Sequence, residues 1–548
     1  IILSKKEMAQ FYFFIFLSFI TMILETAGVG LIIPFMQALI TDGINQNLVE
    51  FLSIFNIHPT SKYNLIFVLI AVLAFIYTFK VLFLTYFSYA QTKLLADLRV
   101  SLSDKLYRTY LNKPYTFHLN NNSSKLIRNI DEISLVVYVI KSLILLITEV
   151  AVFLGISTFV IFYEPKGSLA VILFLGFFGY LFFRKVQTKA KGWGKTRQTH
   201  AGLRFKYLRE GFGLIKDIKI LQRSNEVIKI FTTNNKILNL CEIKQTFINS
   251  LPRLWLEWLV VLGFILLILL MIFMGKELLY IVPLLGLFAA AAFRIMPSLT
   301  RIMNSVQGIM YNRPAIDSIY KEFEQESTSS VNNKKSSKKF SLTKDIDLKN
   351  IDFKYSESGP LILRNINLRI KSGTTIGLVG ESGIGKTTLI NTIAGFLPVN
   401  TGDVEWKARS ITSLSPGRRP VSVLFQDHNL FPHLNVERNV SIGLKANLKL
   451  DPSEKEKVFE TIRKVGLEKY ITKKPSELSG GQRTRIALAR VLLRCKPLLL
   501  LDEAFLGLGP ALRLEMLALI MDFVHEENMT LLMVTHDIND AKIGRAHV

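Results

Sequence analysis

The chain of 548 residues is longer than one hydrophobic core supports, and half of it is apolar with a positive mean hydropathy, which excludes an ordinary soluble domain and requires a membrane part. The formal net charge of +24 raises a nucleic-acid reading, yet the cations lie between apolar runs or in one linker, with no aromatics interleaved in a basic groove pattern, so no nucleic-acid partner is expected. Cys241 and Cys495 have no metal spacing and imply no disulfide framework.

The chain opens on Ile1 rather than methionine, and Lys542-Ile543-Gly544-Arg545-Ala546-His547-Val548 reads like a translated sequencing adapter, so this tail is set outside the fold reasoning. Six stretches approach or exceed the roughly 20 apolar residues that a helix needs to cross a hydrocarbon core about 30 Å thick. They lie near 10–40, 63–90, 133–163, 167–184, 247–274 and 278–299. The first is too long for a signal peptide's apolar region and lacks a small-residue cleavage pattern behind it, which makes it a spanning anchor.

The connection between spans two and three carries Lys93, Arg99, Lys105, Arg108, Lys113, Lys125 and Arg128, and the connection between four and five is basic from Arg184 to Lys244. The opposite connections hold little beyond Lys62, Lys166 and Lys276, so the positive-inside rule puts the long connections and the C-terminal half in the cytoplasm. Leu94, Leu98, Leu102, Leu106 and Tyr110 recur about every four residues, and predict helices that extend the spans inward. Glu25, Lys80, Lys141, Glu149, Glu257 and Arg294 fall inside spans, where each charge costs about 2.5–3.5 kcal/mol on insertion scales; they either line a polar cavity, or snorkel or pair between helices.

From Glu322 to Lys344 the composition shifts to Ser, Asn and Lys, the mark of a linker between two domains. Beyond it Ile346, Leu348, Ile351 and Phe353 read as a strand. Thr375 to Val379 is a second apolar strand that runs into Gly380-Glu381-Ser382-Gly383-Ile384-Gly385-Lys386-Thr387-Thr388. The glycines let successive N–H groups curl round phosphates, Lys386 adds a point charge, Thr387 can hold magnesium, and the helix expected from Thr387 to Gly395 adds its dipole. Gly380, Ser382, Gly383, Gly385, Lys386, Thr387 and Thr388 are therefore candidate ATP-binding residues. Leu498 to Leu501 is a buried strand ending in Asp502 and Glu503, where one carboxylate can hold magnesium through water and the other can polarise the attacking water. About a hundred residues after the glycine loop comes Leu478-Ser479-Gly480-Gly481-Gln482.

With that second motif the chain resembles the ATP-binding cassette (ABC) transporter family, whose signature sequence is Leu-Ser-Gly-Gly-Gln. The resemblance implies an all-α, exporter-type membrane domain of six helices at 1–320, a linker at 321–345, and an α/β P-loop cassette at 346–541 that is C-terminally truncated, followed by the tail at 542–548. It implies that Tyr355 stacks on adenine, that Gln426 senses magnesium and faces the membrane domain, and that His536 contacts the γ-phosphate. Glu503 is the base, Mg2+ lies near Thr387, Gln426 and Asp502, and ATP is the nucleotide. Ser479, Gly480, Gly481 and Gln482 then act across a homodimer, gripping ATP held on the partner's glycine loop, with twelve spans and two composite sites per dimer. The expected function is ATP-driven export or flipping of an amphiphilic or lipid-linked substrate across a bacterial inner membrane. The alternative is the ATPase subunit of a thiamine-type importer; a non-transport cassette switch would lack spans.

Two departures qualify the resemblance. After Glu503 the chain reads Ala504-Phe505-Leu506-Gly507-Leu508-Gly509-Pro510, with Gly509 where the family has an aspartate, which puts efficient hydrolysis in question and leaves ATP binding intact. The two halves also resemble different relatives. Residues 1 to about 380, with Leu251 to Glu257 and Arg294 to Arg301, are similar to the flippase that turns over lipid-linked oligosaccharides in bacterial N-glycosylation, an analogy in which Arg294 and Arg301 meet a pyrophosphate head group. From about Ile390, and above all over Arg419 to Leu434, the chain is similar to the ATPase subunit of the bacterial thiamine importer. Two genes joined near the shared glycine loop would produce this pattern; a divergent exporter cassette is the competing reading.

Overall fold

The computed structural model describes residues 3–31, 35, 61–273, 275, 278–328, 345–355, 359–381, 383–427, 429–506 and 508–537. The chain divides into two compact units, residues 1–113 with 120–333 and residues 114–119 with 334–548.

The first unit is helical throughout its described residues. Helix α1 (Lys5–Gly30) starts in a capping box, Ser4 accepting from the Glu7 amide at 3.3 Å and the Glu7 carboxylate from the Ser4 amide at 2.7 Å. Helix α2 (Lys62–Asn112) follows Ser61 as N-cap and ends just before Pro114. Its 51 residues make about 75 Å of helix at 1.5 Å per residue, well beyond the roughly 30 Å that a membrane interior takes up. The short α3 (Tyr115–Asn120) falls, but for Asn120, in the second unit; in the first, α4 (Ser123–Asp131) is followed by α5 (Ile133–Tyr163), α6 (Pro165–Gly213, with Pro165 at its first turn), α7 (Ile215–Ile220), α8 (Ser224–Phe273) and α9 (Leu278–Thr328).

Among the described residues five helices are long and apolar enough to cross a membrane: Lys5–Gly30, Tyr63–Asn112, Ser123–Tyr163, Ser224–Phe273 and Leu285–Glu324. The span expected at 167–184 coincides with a shorter apolar run, Gly167–Leu181, inside α6. The part of the expected first span beyond Leu31 falls, Phe35 excepted, outside the described residues, as do 329–344 of the expected linker. The linker's expected start lies inside α9, which continues to Thr328. The periodic residues Leu94, Leu98, Leu102, Leu106 and Tyr110 are all buried on one side of α2, as their spacing required. Phe67, Phe75, Phe162, Phe273 and Phe293 are widely exposed, a surface that suits lipid rather than water.

Of the two readings given for the charges inside spans, the structure realises pairing between helices. The Glu25 carboxylate lies 2.7 Å from Lys80 and 2.8 Å from Arg294, and Glu149 lies 2.5 Å from Arg301 and 3.5 Å from Arg294 while accepting from the Ser298 hydroxyl at 2.6 Å. This network stitches α1, α2, α5 and α9 together. Both carboxylates are buried and both are ion-paired, as a buried charge requires; Glu149 also accepts hydrogen bonds from Ser298 and Arg301. Glu257 pairs with Arg253 one turn away on an exposed face at 2.9 Å, and Lys141 is exposed.

The second unit holds two sheets. Strand β1 (Ile346–Phe353) pairs antiparallel with β2 (Leu363–Ile370) and with β4 (Thr401–Trp406), and β5 (Arg409–Ser410) closes the order β2-β1-β4-β5. The other sheet is parallel, in the order β3 (Thr375–Val379), β8 (Thr530–Thr535), β7 (Leu498–Asp502), β6 (Val421–Leu424). Strand β7 shows why this sheet is buried on both sides. Leu498 and Leu500 join the cluster of Leu389, Ile390 and Ile393 on helix α10 (Lys386–Ala394). Leu499 and Leu501, pointing the other way, join Ala487 and Leu488 of α11 (Gly480–Leu492) and Met516 and Ile520 of α12 (Pro510–Glu526).

Candidate nucleotide-binding site

Helix α10 begins where it does because Gly385, its N-cap, takes φ +94°, and Gly383 before it takes φ +86°. A side chain at either position would be strained, so only glycine turns the chain tightly enough to aim amide groups inward at the end of β3. The Lys386 ammonium folds back over the loop, donating to the Gly380 carbonyl and, at 3.1 Å, to that of Glu381. It also lies 3.5 Å from His536 Nδ1. Ser382 lies outside the described residues.

Parallel strands place the remaining groups opposite the loop. The Thr387 hydroxyl donates to Asp502 Oδ1 at 2.9 Å. Asp502 is buried, and burial pushes its carboxyl above the usual range, helped by the neighbouring Glu503 charge and opposed by the Thr387 hydrogen bond. Glu503 follows with φ +48°, a left-handed backbone of the sort that costs a non-glycine residue about 1–3 kcal/mol and clusters at functional sites. Its Oε1 sits 2.6 Å from His536 Nε2, one residue beyond β8. The Tyr355 hydroxyl lies 3.1 Å from that of Thr388, and its half-exposed ring stands edge-on to Phe353.

The structure thus gathers Gly380, Gly383, Gly385, Lys386, Thr387, Thr388, Tyr355, Asp502, Glu503 and His536. It does not bring in the rest. Gln426 is exposed in the turn after β6 and makes no side-chain hydrogen bond among the described residues. Ser479 and Gln482 satisfy each other as the capping box of α11, the Gln482 amide donating to Ser479 Oγ at 3.3 Å and the Ser479 amide to Gln482 Oε1 at 2.9 Å, with Gly480 and Gly481 opening the helix.

Two residues that no motif singled out act on the cassette's geometry. Arg419 is 2% exposed and donates to the carbonyls of Thr392 (2.8 Å), Ile393 (2.7 Å), Thr412 (2.7 Å) and Leu414 (3.1 Å), fastening the C-terminal end of α10. Burial lowers its basicity to about 10. Arg513 of α12 reaches Asp537 at 3.5 Å and the Thr535 hydroxyl at 3.4 Å, on either side of His536.

A loop that cradles phosphate, facing an acid pair at the end of the adjoining strands, is the chemistry of a P-loop ATPase, and this one shares its chain with helices of membrane length. Residues 363–506 match the ABC transporter family, and residues 11–277 match the ABC transporter transmembrane region. The chain belongs to the ABC transporter family and has the organisation of an exporter-type half-transporter, a multi-pass membrane protein that binds ATP and couples its hydrolysis to transport.

Over the cassette alone it is similar to the "Thiamine import ATP-binding protein ThiQ" of Histophilus somni (strain 129Pt), 50% identical over 188 residues that make up 34% of this chain and 88% of that protein. The protein of that name from Ruegeria sp. (strain TM1040) is 50% identical over 173 residues, 32% of this chain and 75% of its own length. That from Aliivibrio fischeri (strain ATCC 700601 / ES114) is 44% identical over 185 residues, 34% and 79% respectively.

Proposed function

We propose that two copies of this chain close on two ATP molecules, each held by the glycine loop of one copy and the Ser479–Gln482 helix end of the other, and that closure drives export or flipping of an amphiphilic or lipid-linked substrate. The observation that carries this reading is the union of a membrane region and a cassette on one chain that has a single glycine loop and a single signature. One chain supplies half of each composite site, so two are required.

Within each site, Lys386 leaves the Gly380 and Glu381 carbonyls for the phosphates, and Tyr355 offers its exposed face to adenine. Glu503, held beside His536, orients and deprotonates the attacking water, while His536 contacts the γ-phosphate. The hydroxyl of Thr387 beside the carboxylate of Asp502 is a hard oxygen pair that fits Mg2+, which keeps several waters and takes few protein ligands; Gln426 joins them from its turn. When bound, the ion neutralises charge on the phosphates. We place the chain in a bacterial inner membrane with the cassette in the cytoplasm, on the lysine and arginine asymmetry of its connections.

Reconstitution in liposomes tests the reading. Vanadate-sensitive ATPase activity that rises with a lipid-linked oligosaccharide and not with thiamine supports it; stimulation by neither overturns the substrate class. The second reading, the ATPase subunit of a thiamine-type importer, is favoured by the likeness of the cassette to thiamine import ATP-binding proteins, and requires separate permease partners. Stimulation by thiamine with those partners, and not by lipid, would select it.

A further inference from the structure

Helices α5, α6, α8 and α9 enclose a cleft of about 530 Å³ whose wall is almost wholly hydrocarbon. On α9 the lining residues run from Phe288 through Ile295, Leu299 and Ile302 to Val306, about 27 Å of helix. That volume over that length leaves a mean section of about 20 Å², about 5 Å across, room for one extended chain whose carbons keep about 3.5–4.0 Å from the wall. The cleft is as long as the membrane interior is thick, and one chain wide.

Two further observations give the occupant a polar end. Ser157, which lines the cleft, is buried and its hydroxyl has no hydrogen-bond partner among the described residues. Contacts of Glu149 with Ser298, and closeness of Tyr138 to Gly308, fix α5 and α9 as antiparallel, which puts Ser157 toward the Phe288 end of the cleft. An oxygen at one end of a hydrocarbon chain would satisfy that hydroxyl. Roughly a third of a turn round α9 from the apolar lining, Arg294, Ser298 and Arg301 form a polar stripe at i, i+4 and i+7. One helix therefore carries an apolar face beside a polar, ion-paired one.

We propose that this cleft holds the hydrocarbon chain of the transported amphiphile, one chain at a time, with the head-group end at Ser157. The proposal rests on the amphiphile reading above and deepens it.

The glycines of α6 supply a gentle test. A Cβ built on Gly176 meets nothing within 4 Å, and one on Gly179 meets only the end of Met303 at 3.6 Å, so leucines at both positions fill the cleft without a backbone clash and favour the helix. The full chain is placed in phosphatidylethanolamine–phosphatidylglycerol vesicles with a long-chain alkyl phosphate bearing a diazirine at its chain end, irradiated, and mapped by peptide mass spectrometry. Label should concentrate on lining residues of α5, α6 and α9, and fall at least about tenfold in Gly176→Leu/Gly179→Leu, which is what about 1.4 kcal/mol of steric conflict produces. Ser157→Ala should weaken labelling without abolishing it. Label spread evenly over lipid-facing residues, or unaffected by the leucines, overturns the proposal. So does labelling identical in nucleotide-free and vanadate-trapped protein, which marks a static bilayer lipid. If the double variant loses the label yet keeps amphiphile-stimulated ATPase activity, the cleft has no part in transport while the transporter reading stands.

Discussion

Arg419→Met removes a guanidinium that no solvent reaches, and the structure allows its cost to be worked out. Four carbonyls lose a donor; that of Thr392 keeps the Gly395 amide at 3.2 Å, so those of Ile393, Thr412 and Leu414 are left without one. Each stranded acceptor costs about 1–3 kcal/mol, or roughly 3–9 together. Against this, the burial cost of the guanidinium, several kcal/mol, disappears with it. The net is a loss of about 3 kcal/mol, which for a domain of about 200 residues lowers the melting temperature by about 6–12 °C. Trp406, buried on β4, is the tryptophan of this unit, and its red shift on heating the full chain reports the transition. Arg419→Lys, which keeps a charge but not the planar fork, should fall between the two. Saturating MgATP should raise the melting temperature of wild type and variant by similar amounts, because the phosphate loop sits at the other end of α10. A methionine variant that melts within about 2 °C of wild type refutes the claim that these four bonds fasten the helix.

Glu503→Gln should retain nucleotide, measured by equilibrium binding, while its turnover falls by about 10²–10⁴, the range for a lost general base; turnover within threefold of wild type (a factor of about 0.6 kcal/mol) would remove Glu503 from that role. Glu149→Gln should destabilise the membrane unit by about 1–2 kcal/mol, less than the roughly 3–5 for a stranded buried charge, since Arg294 keeps Glu25 and Arg301 is 51% exposed on its side chain. A double-mutant cycle with Arg301→Gln, read by thermal denaturation in detergent, checks it: a coupling below about 0.5 kcal/mol means the pair contributes nothing measurable. Ser479→Asp should leave the nucleotide-free chain as stable as wild type, because aspartate caps a helix as well as serine does, yet abolish ATP-driven dimerisation by light scattering; dimerisation that survives would exclude a phosphate contact at this position.

What the sequence made legible is local. A phosphate loop is a run of nine residues whose glycines let the backbone curl round phosphates, so Gly383 and Gly385 could be read as loop residues from sequence, and the structure gives both left-handed backbones. The apolar strand ending in Asp502 and Glu503 was equally plain, since four successive leucines followed by two carboxylates read as a buried strand reaching a polar edge. Spacing placed Leu94 to Tyr110 on one buried face of α2. Partners distant in sequence were not legible. Glu149 and Arg294 were each flagged by their insertion cost, but they lie 145 residues apart, and nothing in either neighbourhood says that they meet. Arg419 left no signal either, because its partners are backbone carbonyls that carry no side-chain identity.

The signature residues show how one motif can serve two states. In the single chain Ser479 and Gln482 close a capping box, which contributes about 1 kcal/mol to α11 and engages their side chains only as acceptors, through Ser479 Oγ and Gln482 Oε1. Reading them as phosphate contacts therefore requires that the helix end keep its amide dipole while the serine hydroxyl turns from the Gln482 amide, at a weak 3.3 Å, to an incoming oxygen. That exchange is cheap, since a charged phosphate is a stronger acceptor partner for the hydroxyl and the first-turn amides than the cap it replaces. On the proposed dimer, a cap that is easily traded is what would let the helix stay folded in the open chain and bind a partner's nucleotide on closure.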